Sequence, residues 1–149
     1  MKKIFLALVM SLLSVSGWAN DEVLGYWKTI DDETGEAKSI VRVYEYQGQV
    51  YGRVVKVLTN PEAKAKLPDE PLIEGLDIIW NLKLDGSKYT GGEILDPKKG
   101  KVYGCAMWRD GDNLIVRGKI AFLGRNQIWL PSPDLKESSP FVPKKPRLK

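Results

Sequence analysis

Leu76, Ile78, Trp80, Leu82 and Leu84 alternate with Asp77, Ile79, Asn81, Lys83 and Asp85, giving one apolar face and one mostly polar face. Side chains that change sides at every residue describe a β-strand in a sheet wet on one side. The same period, punctuated by turn residues, divides the chain into about eight strands. They fall at 23–30, 38–46, 49–58, 76–85, 88–95, 102–109, 114–122 and 127–130. Gln47-Gly48 and Asp85-Gly86 are tight hairpin signals between consecutive strands. Asp96-Pro97-Lys98-Lys99-Gly100 is a turn with φ fixed at its proline. Between the third and fourth strands, 61–66 is a candidate short helix, stopped by Pro68 and Pro71.

Short strands joined by tight turns predict an all-β fold, an antiparallel up-and-down meander that closes as a barrel or folds as a sandwich. Closure removes exposed sheet edges, and an eight-stranded barrel either fills its interior or holds one small ligand.

The ends of the chain read differently. Lys2 and Lys3, an apolar run over 4–15 and the small residues around Gly17-Trp18-Ala19 have the layout of a cleavable secretion signal over 1–19. The run is shorter than the roughly 20 residues that cross a bilayer. This predicts a periplasmic or secreted protein with no transmembrane segment after cleavage, and a barrel domain over 20–130. Residues 131–149 hold five of the nine prolines and a basic terminus, and are expected to be an extended or disordered tail.

Charge and composition then remove function classes. The net charge is +4. Two of the 23 Lys and Arg lie in the leader and four in the last six residues, so the body carries about two more acidic than basic side chains. A nucleic-acid-binding surface on the domain is therefore unsupported. Histidine is absent, which removes Ser-His-Asp and Cys-His catalysis and every His-based zinc site. The lone Cys105 cannot form an intramolecular disulfide, and free cysteine packs like a small hydrophobe. Carboxylate, Lys, Tyr or Arg chemistry survives, or none; the expectation is no enzyme, no metal and no cofactor, with an enzyme using two converging carboxylates ranked last among the alternatives. Asp31-Asp32-Glu33 is the densest carboxylate cluster, and turn capping by Asp side chains accounts for it better than a cation.

Binding is what remains. Trp27, Trp80, Trp108 and Trp129, with Tyr44 among the tyrosines, are candidates for lining an apolar cavity, against the alternative of ordinary core. Strand phase puts Arg42 with Ile40 and Tyr44, and Arg53 with Tyr51 and Val55. An inward Arg among Arg42, Arg53 and Arg117 would need a partner, either Glu93 or the carboxylate of a bound acyl ligand.

The segments GYWKTIDDETGEAKSIVRVYE, GLDIIWNLK, GGEILDPKKGKVYGC and VRGKIAFLGRNQIW, in that order, resemble a family of exported bacterial proteins known as Domain of Unknown Function 2147. The resemblance covers 24–129 and implies a lipocalin-like or fatty-acid-binding-protein-like barrel, with no assigned activity. Gly25-Tyr26-Trp27 also resembles the opening of lipocalins, in which the Trp lies at the barrel floor beneath an Arg from a late strand. Trp27 fills the first role under this resemblance, and either Arg117 or Arg125 the second. The loop before Gly75-Leu76 lacks the cysteine pair of many family members, so no role for such a pair carries over. These readings together predict a carrier of an apolar or amphipathic small molecule in the cell envelope. The alternative is a non-catalytic interaction protein with a filled barrel and a basic docking tail.

Overall fold

The computed structural model describes residues 22–136 and 141–149; the secretion-signal reading lies on residues outside them. Eight antiparallel strands form a closed barrel: β1 (Gly25–Ile30), β2 (Ala37–Tyr46), β3 (Gln49–Val57), β4 (Asp77–Asp85), β5 (Lys88–Asp96), β6 (Lys101–Asp110), β7 (Asn113–Ile120) and β8 (Leu123–Pro131). Each strand pairs with its successor, and β1 closes the ring onto β8 through Trp27 opposite Pro131 and Lys28 opposite Leu130. The up-and-down barrel expected from the alternation is the observed fold. No helix among the described residues is long and apolar enough to cross a membrane.

Two local expectations are corrected. Residues 61–66 form no helix; this stretch alternates instead, burying Ala65 and Leu67, and Lys64 makes an isolated bridge to Leu72. Its amides bond outward, Ala65 N to Pro71 O and Lys66 N to Pro97 O, so the β3–β4 loop is stitched to itself and to the β5–β6 turn. The seventh strand ends at Ile120 rather than Phe122, and β8 starts at Leu123. Ile120 pairs with Leu123 across a two-residue turn in which Ala121 takes a positive φ of 53°. Without Gly or Asn there, that turn leaves no mark in the sequence.

The interior divides into two halves. At one end, called the floor, Val43, Val50, Leu82, Met107, Leu114 and Trp129 are almost wholly buried. Trp27 joins them and donates its indole N–H to Val23 O at 2.9 Å, tying the N-terminal residues beneath the barrel. Gly92 makes the close approach of β5 to β4 possible, because a Cβ there would lie 2.3 Å from the Trp80 carbonyl oxygen. The other end is open and is bounded by the β1–β2, β3–β4, β5–β6 and β7–β8 connections.

Candidate functional site

The lumen's inward positions follow from the register. Thr29 on β1, Ser39 on β2, Val54 on β3, Ile78 on β4, Ile94 on β5, Tyr103 on β6, Gly118 on β7 and Gln127 on β8 surround a cavity of about 560 Å³ at the open end. Its base rests on Val116 and Trp129, which cap the packed lower half. The wall is mainly aliphatic. Within it the Thr29 and Ser39 hydroxyls pair at 2.7 Å, and the Gln127 side chain accepts from the Trp129 indole at 3.1 Å. Both contacts leave hydrogen-bonding capacity over for a guest.

The rim is charged. Lys38, Lys98, Lys99 and Arg125 line the mouth with a single carboxylate, Asp96. Asp96 is partly engaged, accepting the backbone N–H groups of Lys98 and Lys99. Arg125 pairs with Asp32 at 2.6 Å, and with the Arg side chain about three-quarters exposed this ion pair is weak and easily exchanged. Asp31 accepts N–H bonds from Glu33 and Thr34; these hold its carboxyl below the usual range, as a self-capping turn requires. Among the described residues, no group of three or more His, Cys, Asp or Glu could hold a metal ion.

None of Trp27, Arg42, Tyr44, Arg53, Trp80, Trp108 and Arg117 lines this cavity. Trp27 sits at the floor. The Arg packed over its ring, 5.1 Å from the centroid, is Arg109 of β6, not Arg117 or Arg125. Arg109 pairs in register with inward Leu114 at the barrel end, which aims its guanidinium across the floor to Glu22 O and Gly111 O. Arg42 and Tyr44 face outward, because Val41 and Val43 on the same strand take the fully buried inward positions. Both phases of β2 are apolar or aromatic, so alternation alone could not choose. Arg42 lies over the Tyr26 ring at 4.9 Å. Trp108, opposite outward Ile115, is covered by the Lys88 ammonium at 4.3 Å. Arg117 lies along the outer wall over Gly124 and donates to Asn126 at 2.9 Å.

Two of the seven residues, Tyr44 and Arg53, do come together, on the outside. Arg53 donates from Nε and Nη2 to the buried Asp77 carboxylate at 3.0 and 3.1 Å, and Tyr44 donates its hydroxyl at 3.0 Å. Burial, with Asp77 beside it, pushes the Tyr44 pKa well above its ordinary value. Burial pulls the Arg53 pKa down, but the hydrogen bond and charge of Asp77 outweigh it and leave it raised. Trp80 also faces outward, donating to Glu93 at 3.3 Å, because Ile79 and Ile94 take the lumenal positions beside it. Asp77 gave no signal in the sequence, since it read as one of several polar residues on a wet face.

Cys105 is buried, and desolvation pushes its thiol up to about 12. It is a packing residue.

Comparison with known proteins adds the following. The profile of a family described as "Uncharacterized protein conserved in bacteria (DUF2147)" matches residues 25–130. No curated protein matches the chain. Among solved structures, it is similar to protein HP1028 from Helicobacter pylori, described as belonging to the lipocalin family. That match has a TM-score of 0.61 and 18% identity, and covers 74% of this chain and 83% of the other. At this identity the likeness speaks to the fold.

Proposed function

From the premise that this chain belongs to the DUF2147 family and folds as a lipocalin-like barrel, we propose that it binds an apolar or amphipathic small molecule in its upper cavity, without catalysis. The carrying observation is the division of the interior: a packed floor below, and about 560 Å³ of mainly aliphatic space below a basic rim. That volume falls within the range of small-molecule sites. Aliphatic walls would bury the body of the guest, and Arg125 with Lys98 and Lys99 would receive an acidic end. The inward-Arg idea thus moves from Arg42, Arg53 and Arg117 to the rim. The filled-barrel alternative matches the lower half only.

An envelope location rests on the leader-like N-terminus and is part of the same proposal. The test is native mass spectrometry of the protein purified from its source cells, before and after organic extraction. The expected result is a discrete added mass that extraction removes. A bare polypeptide mass, together with no uptake of an added anionic amphiphile, would refute the carrier reading.

A further inference from the structure

The outer-wall cluster around Asp77 is not solvent-facing. Residues 141–149 have no regular secondary structure and lie across it. The Phe141 ring stacks on Tyr44 with centroids 5.1 Å apart, and the Arg53 guanidinium lies over the Phe141 ring, 5.2 Å from its centroid. Val142 O accepts from Arg53 Nη2 at 2.8 Å, and Lys144 N donates to Asp77 Oδ2 at 2.7 Å. Farther on, the Lys145 ammonium sits 5.2 Å from the Trp80 ring, Arg147 reaches Asp69 at 3.4 Å, and Leu148 packs against the core cluster.

We propose that this outer wall is a peptide-binding site whose occupant, the chain's own C-terminal segment, holds the β3–β4 loop, and that its occupancy slows the escape of a guest from the cavity beneath that loop. The second clause rests on the carrier reading above.

Three features separate recognition from incidental packing. First, the contacts read backbone as well as side chains: an arginine to a carbonyl and a buried carboxylate to an N–H. A buried carboxylate is costly unless its lone pairs are satisfied, and the Lys144 amide supplies a charge-assisted bond that the barrel itself does not provide. Second, proline recurs at 140, 143 and 146. A spacing of three matches the polyproline II turn, which stiffens the segment in advance and lowers the entropy lost on docking. Pro143 also has no N–H, so the amide of Lys144 is fixed as the donor in that register. Third, the site lies within 25–130, the family-matched span, whereas the segment lies outside it.

The coupling follows from where the contacts fall. Asp77 is the first residue of β4, at the end of the β3–β4 loop, and the next residue, Ile78, lines the cavity. Asp69, the partner of Arg147, lies inside that loop, which contributes Thr59, Ala63 and Ile73 to the cavity wall. The docked segment therefore holds the loop chiefly at its root, through Asp77, with an exposed and weak ion pair added at its middle. Nine residues connect Pro131 to Phe141, and so short a tether gives an effective concentration in the millimolar range.

The test compares the full chain with the double variant Phe141→Ala, Leu148→Ala, whose substitutions both lie outside the barrel strands. Hydrogen exchange is followed at Ala65, Lys66 and Ile73, whose amides hold the loop. The expected result is exchange about tenfold faster in the variant. A synthetic peptide of residues 141–149 at millimolar concentration should restore protection, and the same peptide carrying Phe141→Ala should not. Unchanged exchange in the double variant, or equal rescue by both peptides, overturns the site. The release rate of bound 1-anilinonaphthalene-8-sulfonate then reads the second clause, with faster release expected in the variant. Faster exchange with an unchanged release rate overturns the coupling alone. If the probe does not bind even the unaltered protein, the carrier reading and the coupling fall together, while exchange and rescue still decide the peptide site.

Discussion

Gly118→Phe is the sharpest probe of whether the cavity is the working site. A Cβ at Gly118 would meet nothing nearer than Tyr103 Cβ at 3.8 Å and Ile94 Cγ2 at 3.9 Å, both ordinary contacts with residues that line the cavity. The added ring therefore projects into the lumen. A benzene-sized group needs a space of roughly 150 Å³, well inside the 560 Å³ present. Burying a Phe side chain is worth about 1.5–3 kcal/mol, and the rotamer entropy it loses is roughly offset by the freedom removed from an unfolded glycine. The variant should thus gain about 1–3 kcal/mol, raising Tm by about 3–10 °C. A guest displaced from about 100 Å² of wall loses about 2.5 kcal/mol, or nearly two orders of magnitude in affinity. Thermal unfolding and titration with a fluorescent anionic amphiphile measure the two effects. A more stable protein that binds as tightly as before refutes the cavity as the site. A destabilised one refutes the assignment of open space next to Gly118.

The remaining expectations concern the floor, the sheet, the thiol and the rim. Arg109→Met removes a cation over Trp27 and two ties to backbone carbonyls, and should cost about 1–3 kcal/mol in denaturant unfolding while Arg117→Met costs under about 0.5. Gly92→Ala places Cβ against the backbone of β4 and should destabilise by roughly 3 kcal/mol or more; Gly124→Ala meets only the movable Arg117 guanidinium and should cost far less. The Cys105 thiol should resist disulfide reagents at pH 8 until the protein unfolds. Because its folded pKa is raised to about 12 from an ordinary value of 9.0, the unfolded state releases its proton first, and the stability this group contributes is full below pH 9 and lost as pH rises toward 12. A Cys105→Ala variant should flatten that part of the stability–pH profile. Arg125→Met should weaken acidic amphiphiles several-fold and spare neutral ones, as competition titrations would show; equal loss for both refutes a charge role at the rim.

Alternation and turn residues were enough for the number of strands and their antiparallel up-and-down order, because each is a local pattern with one period; they left barrel and sandwich open, and only the family resemblance pointed to the barrel. Composition also sets limits on the chemistry, since a chain without histidine cannot build a Ser-His-Asp or Cys-His site or a His-based zinc site. What they could not supply was which side of each strand faces inward. β2 carries Val41 and Val43 on one face and Ile40 and Tyr44 on the other, and the choice is made only when neighbouring strands pair and close. The eighth strand was expected only from Gln127; its earlier start at Leu123 was missed because the polar residue Arg125 faces a cavity mouth, not a dry core. Tyr44 and Arg53 were singled out in the sequence as candidates for an inward site, yet their shared partner on the outer wall, Asp77, is 33 residues from Tyr44, and Lys144, which also bonds it, is 67 residues farther along. Local patterns fix strands; long-range closure alone decides which side chains share a space, and with it the place of the cavity and of the outer-wall site.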